Sequence, residues 1–156
     1  MSSIFHQSII QDPDKILHTT STTVTDFEEA KKIVNKLIDV TKMVDRPLKF
    51  WLGMAAPQIG YTKRIFILRN SYRNYTVMIN PEILAQKWLL PLVSKCYSLA
   101  GQLYLTKYHF WFKVNYQNLD ERWCTEVIRG GRAAALQQEL DHINGVMLSD
   151  KGKRLL

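Results

Sequence analysis

The sequence predicts an α+β domain on three observations: a capped amphipathic helix near residues 25–44, short strand-like runs between residues 64 and 127, and a second helix over residues 132–143. Helix, several strands, helix, with hairpins between, is the order of a fold whose helices pack on an antiparallel sheet rather than alternating with its strands. The 156 residues suffice for one hydrophobic core and are short for two, so residues 1–156 are read as one domain.

Thr25-Asp26-Phe27-Glu28 reads as a capping box, in which the Thr hydroxyl and Glu carboxylate satisfy the first free amides of a helix. Apolar residues at Phe27, Ala30, Val34, Leu37 and Ile38 then form a helical stripe, with Lys31, Lys32 and Lys36 facing elsewhere. The helix is expected to run to about Val44 and stop before Pro47. Arg64–Leu68 and Tyr75–Ile79 are rich in branched and aromatic side chains and read as strands. Pro81 limits the next segment to an edge or a new strand, since it has no N–H to give a ladder. Phe110–Tyr116 and Trp123–Val127 read as a hairpin joined through Gln117, Asn118, Leu119 and Asp120. Arg132–Ile143 opens with three alanines and is followed by Asn144-Gly145, which tolerates the left-handed conformation that ends a helix.

The apolar runs reach only about five residues, against roughly 20 for a membrane span, so no membrane association is expected. Met1 to Gln11 has neither a basic nor an apolar leader region. Two cysteines, Cys96 and Cys124, make no disulfide framework, which points to a reducing compartment, the cytoplasm or an organellar matrix. A net charge of +7 favours polyanions, with ribosomal RNA one candidate, or serves solubility alone. The basic residues are scattered, with no aromatic-basic repeat to mark a nucleic-acid surface. A monomer is the expected state.

Three segments carry chemistry. In Gly53-Met54-Ala55-Ala56-Pro57-Gln58-Ile59-Gly60, small residues let backbone approach a ligand and Gln58 offers an amide to a developing oxyanion; a tight loop-to-strand junction would read the same way. In Ser94-Lys95-Cys96-Tyr97-Ser98-Leu99, the cysteine is a ligand candidate or a small buried hydrophobe. In Gln138-Glu139-Leu140-Asp141-His142, residues 138 and 142 lie one helical turn apart on one face, with Glu139 beside them. His-Glu-x-x-His on a helix places two imidazoles on a metal and a carboxylate beside its water; here a carboxamide replaces the first imidazole.

In this order the segments resemble the three signature motifs of peptide deformylases, G-x-G-L-A-A-P-Q, E-G-C-L-S and Q-H-E-x-D-H. The match runs over Leu52–Gly60, then Cys96 and Ser98, then Gln137, Glu139, Asp141 and His142. Flanks at Gln11–Asp14, Val77–Leu84 and His142–Met147 extend the likeness to nearly the whole chain. The resemblance implies antiparallel sheets around a central metal-motif helix, with a further helix near the N-terminus. It implies hydrolysis of the N-formyl group of formyl-methionyl peptides or nascent chains, by a water on a divalent metal, Fe2+ or Zn2+. Carried over position by position, it implies metal ligation by Cys96 and His142, with Gln138 in place of a histidine. Glu139 is implied as general base and then acid, and Gln58 and the backbone amide of Tyr97 as donors to the oxyanion. Leu52 and Gly53 are implied along the substrate, and Ala134 and Ala135 in the methionine pocket.

The chain departs from the pattern at several of these positions. The neutral oxygen of Gln138 is a poor donor for borderline metals. Sharing about 10–16 kcal/mol of a four-ligand site equally gives ~3–4 kcal/mol per ligand, or about 10²–10³ in affinity. Trp51 stands at the first glycine of the first motif, Ser94 and Lys95 replace Glu-Gly, Tyr97 replaces Leu, and Ala100 stands where many members carry proline. Lys95 beside Cys96 is expected to favour a thiolate even without metal. The functions expected are a deformylase of reduced or lost activity, or a non-catalytic protein of the same fold that recognises peptide N-termini or a ribosomal surface. A metal-free thiol function at Cys96 is the third.

Overall fold

A computed structural model describes residues 8–49 and 51–156, so residues 1–7 of the segment read as lacking a leader lie outside it. The first long element is helix α1, Phe27–Val44. Its N-cap is Asp26, whose carboxylate accepts from the amides of Glu28 and Glu29 at 3.0 and 3.1 Å. The expected Thr25–Glu28 box is therefore displaced by one residue. Asp is as good a cap as Thr, and its charge also suits the positive end of the helix. The buried face carries Ala30, Ile33, Val34, Leu37, Val40 and Val44, with Phe27 and Ile38 half-buried at its margin. Each fully buried branched side chain stabilises the fold by about 1.5–3 kcal/mol.

Strands β1 (Gly53–Ala55), β2 (Ile65–Ser71), β3 (Asn74–Ser94), β4 (Tyr104–Gln117) and β5 (Trp123–Arg129) form an antiparallel sheet in that order, with β6 (Lys153–Arg154) pairing onto β4. Helix α2, Gly131–Ile143, follows β5. Strand β2 lies between the helices and shows why both of its faces are apolar. Its alternating side chains send Ile65 and Ile67 to the α1 side, and Phe66 and Leu68 to the α2 side with Met78, Phe112, Val114 and Leu136. The hairpin expected from sequence is present as β4 and β5, although β4 begins six residues before Phe110, at Tyr104.

Pro81 does not end its strand. Strand β3 runs through it as 21 residues, and the register against β4 slips between Ile79 and Glu82 and again between Ile83 and Ala85. The slip lets the proline sit in the ladder without leaving an acceptor unserved. Asn80, with φ of 50°, braces the bend through hydrogen bonds with Val24 and Gln117. Beyond Pro81 the strand pairs with β4 alone and forms a sheet edge, as expected. Gly145, after α2, has φ of 72°, and a Cβ there would lie 2.9 Å from the backbone of His18 and Thr19, so both conformation and space require glycine. No helix among the described residues is long and apolar enough to cross a membrane.

Asp45 caps the end of α1 and fixes it to the sheet. Its buried carboxylate accepts from Arg69 Nε at 2.8 Å, Arg73 N at 2.8 Å and Tyr75 Oη at 2.7 Å. Burial alone would raise its pKa, but these hydrogen bonds and the Arg69 charge outweigh it and hold the carboxyl below its ordinary value. Its stabilisation is therefore complete above the unfolded-state value of about 3.9 and drains away as pH falls from there toward the lower folded-state value. Asp45→Ala leaves the Arg69 guanidinium buried and unpaired. The expected loss is about 3–5 kcal/mol in denaturant unfolding at neutral pH, with the gap to wild type narrowing in acid.

Candidate active site

Three elements bring the motif residues together. The 3₁₀ turn Ala56–Ile59 follows β1 and carries Gln58; the turn after β3 carries Cys96; α2 carries Gln138, Glu139 and His142. Gln58 is fixed at both ends of its amide. Its oxygen accepts from Ala55 N at 3.0 Å, and its Nε2 donates to Ser98 Oγ at 3.2 Å while facing Cys96 Sγ at 3.8 Å. The Ser98 amide lies 3.4 Å from the same sulfur and Leu99 N closes the turn onto Cys96 O at 3.0 Å, so the thiol is held by its own loop. Across from it, His142 Nε2 is 3.3 Å from Cys96 Sγ.

Glu139 and His142 are both buried. Glu139 Oε2 and His142 Nδ1 have no partner among the described residues, a costly arrangement for buried polar atoms unless a ligand or water serves them. Burial and the Asp141 charge raise the Glu139 carboxyl well above its ordinary value. Burial lowers His142 to about 4, which keeps the imidazole neutral and its lone pair free at neutral pH. Close packing against β1 explains the glycine at position 53: a Cβ there would lie 2.6 Å from Glu139 Cγ.

The expectation for Cys96 is corrected. Lys95 is exposed, and burial pushes the Cys96 thiol up to about 12 despite the hydrogen bond from Ser98. Without a cation beside it the group stays a thiol at neutral pH, which argues against a metal-free thiol function.

Two side chains of the centre match the span of one ion. A sulfur and a nitrogen bound at about 2.3 and 2.0–2.1 Å to one tetrahedral cation are ~3.5 Å apart, close to the separation of Cys96 and His142. Gln138 lies one helical turn before His142 on the same helix, and its Nε2 donates to Lys95 O at 3.3 Å. Accordingly, no three His, Cys, Asp or Glu side chains gather as a metal cluster among the described residues. Thiolate, neutral imidazole and carboxamide oxygen together fit a borderline divalent cation, with the carboxamide the weakest donor.

A cavity of about 790 Å³ opens from this centre. Gln58, Cys96, Tyr97, Gln138 and Glu139 line its inner end, and His142 stands behind Cys96. All four residues expected to contact substrate, Leu52, Gly53, Ala134 and Ala135, are on its wall. Trp51 lines the cavity at 47% exposure with its indole over Gly131, where a Cβ would fall 1.5 Å from Nε1.

The profile of the polypeptide deformylase family matches residues 6–155. The chain belongs to that family. It is 32% identical over 144 residues to the peptide deformylase of Desulfotalea psychrophila, covering 88% of this chain and 82% of that protein. The peptide deformylase of Wolbachia pipientis is 33% identical over 154 residues, covering 89% and 83%. Among solved structures, the Thermotoga maritima peptide deformylase superposes with a TM-score of 0.82 at 30% identity, covering 92% of this chain and 95% of that one. A Plasmodium falciparum peptide deformylase in complex with an inhibitor gives 0.82 at 27% identity, covering 93% and 88%. This chain therefore has the deformylase fold, in a family whose members are metal-dependent hydrolases acting on formylated nascent peptides.

Sequence reasoning missed several side chains around this deformylase centre. Ser98 belongs to a motif, yet its part in holding Gln58 is visible only in space. Gln11 donates to Tyr97 O at 2.8 Å and so braces the Cys96 loop from 86 residues away. Lys49 stacks over the Tyr97 ring at 4.4 Å. The Gln11–Asp14 flank of the family match was the one available signal, and it named no role.

Proposed function

We propose that this chain hydrolyses the N-formyl group of formyl-methionyl peptides, using a divalent cation, Fe2+ or Zn2+, held by Cys96, His142 and the Gln138 side-chain oxygen. The observation that carries this reading is the meeting of Gln58, Cys96 and Glu139 on the wall of one cavity, with His142 against Cys96, from three separate elements. When bound, the cation supplies a water of lowered pKa, and so a nucleophile at neutral pH. Every other part of the work falls to the chain. Gln58 Nε2 and the backbone amide of Tyr97 donate to the negative charge that grows on the formyl oxygen. Glu139 takes a proton as the carbon–oxygen bond forms and returns it to the amine as the carbon–nitrogen bond breaks. The methionine side chain occupies the cavity beside Ala134 and Ala135, whose small size leaves room for it. The peptide backbone passes along Leu52 and Gly53. Burial of Glu139 and His142 keeps bulk water from both groups.

A second reading, a deformylase-fold protein that binds peptide termini without cutting them, is favoured by one observation, the carboxamide of Gln138 at the third donor position. One assay separates the two. Formate release from formyl-Met-Ala-Ser is measured anaerobically with protein reconstituted with Fe2+, Co2+ or Zn2+. Release above a protein-free blank is expected. Binding of the peptide with none supports the second reading.

Gly53→Ala tests how closely β1 must approach α2. The added Cβ would displace the Glu139 side chain, so formate release is expected to fall, with a stability loss of about 1–3 kcal/mol by denaturant unfolding. Full activity in this variant would show that the close packing at Gly53 does not position Glu139.

A further inference from the structure

The mouth of the cavity carries three cations, Arg46, Lys49 and Lys95, contributed by the loop after α1 and the loop after β3. None of the three forms an ion pair among the described residues. Asp45, the nearby carboxylate, is already committed to Arg69, Arg73 and Tyr75. Among the described residues, the Arg46 guanidinium donates to the carbonyls of Met43 and Asp45. Lys49 is half-buried with its ammonium 4.4 Å from the Tyr97 ring centroid. Burial, and then repulsion from Lys95, lower its hold on a proton. A partly desolvated cation beside Lys95 and Arg46, opposed only by the already committed Asp45 carboxylate, is stabilised when a further anion joins it.

We infer, building on the deformylase reading above, that this rim binds a carboxylate on the peptide downstream of the formyl-methionine, so that the chain prefers acidic substrates. The site fits a carboxylate because both lysines line the cavity from two different loops and present mobile single-point donors. The carboxylate can come from an Asp or Glu side chain or from the free terminus of a short peptide. The cations at the mouth also raise the local concentration of acidic peptides at low salt.

The test compares formyl-Met-Ala-Glu-Glu-amide with its isosteric Gln-Gln counterpart and with Lys-Lys, by formate release with reconstituted protein and, in parallel, by calorimetric binding to Glu139→Gln, which needs no turnover. The Glu peptide is expected to exceed the Gln peptide by about 3–10-fold in kcat/KM and in affinity. That ratio is expected to fall toward one in Lys49→Ser, in Lys95→Ser, and at 0.5 M salt. Formyl-Met-Ala as free acid and as amide identifies the source: a preference confined to the free acid assigns the rim to a terminal carboxylate, and one kept in the amides assigns it to side chains. Equal Glu and Gln peptides, or a ratio unmoved by both lysine variants, overturns the inference. So does tighter binding of a ribo-oligonucleotide than of any peptide. Binding preference without any formate release sinks the deformylase reading and leaves the rim assignment standing; release without preference does the reverse.

Discussion

Glu139→Gln is expected to lower formate release from formyl-methionyl peptides by about 10²–10⁴ while leaving the fold intact. The two side chains have the same shape, so the packing against Gly53 that excludes even a Cβ is preserved. What is lost is the capacity to accept a proton and return it. The Glu139 carboxyl is buried, one of its oxygens lacks a partner among the described residues, and burial holds its pKa well above the ordinary range. A neutral amide at that place removes the cost of a buried ionisable group, so thermal stability should hold or rise. Loss of activity with unchanged or higher Tm is therefore the expected pair of results, measured by formate release and calorimetry. Activity within threefold of wild type would take Glu139 out of the proton path.

Gln138→His is expected to tighten binding of Zn2+ or Co2+ by about 10²–10³, measured by chelator competition, and to raise formate release most where metal is scarce. Residues 138 and 142 lie four apart on α2 and project to the same side, and Gln138 lies beside the cysteine loop through its bond to Lys95 O. An imidazole there would complete a set of one thiolate and two nitrogens, better matched to these cations than a carboxamide oxygen. The hydrogen bond from Gln138 to Lys95 O would be given up, a loss of about 0.5–1.5 kcal/mol that is small beside the gain. Equal affinity in the two proteins would mean that the third position does not limit metal binding.

Much of the fold was legible because periodicity and motif order are local properties. The stripe on α1 and the stop at Asn144-Gly145 follow from residues that contact one another within a few turns. The cap moved from Thr25 to Asp26 because both are good caps and only the chain's approach to the sheet decides between them. Pro81 signalled the sheet edge that follows it, but not that β3 runs on through it past the register slips beside Asn80, which bonds to Val24 and Gln117. At the site, the motifs named Cys96, Glu139 and His142, but not their environment. Neighbouring Lys95 suggested a thiolate; burial, which no sequence neighbour reports, sets the opposite direction. The stacking of Lys49 on Tyr97, and the seat of Trp51 on Gly131, join residues 48 and 80 positions apart and had no sequence signal.

The proposed hydrolysis would use one cation held between the Cys96 sulfur and the His142 nitrogen, and cobalt would report on that bond directly. Protein reconstituted with Co2+, freed of excess metal and examined by elemental analysis and absorption spectroscopy is expected to hold one ion per chain. It should show a sulfur-to-cobalt charge-transfer band that disappears in Cys96→Ser. Folded protein that retains no cobalt at millimolar metal, or retains it with no such band, would contradict a metal centre built on these two side chains.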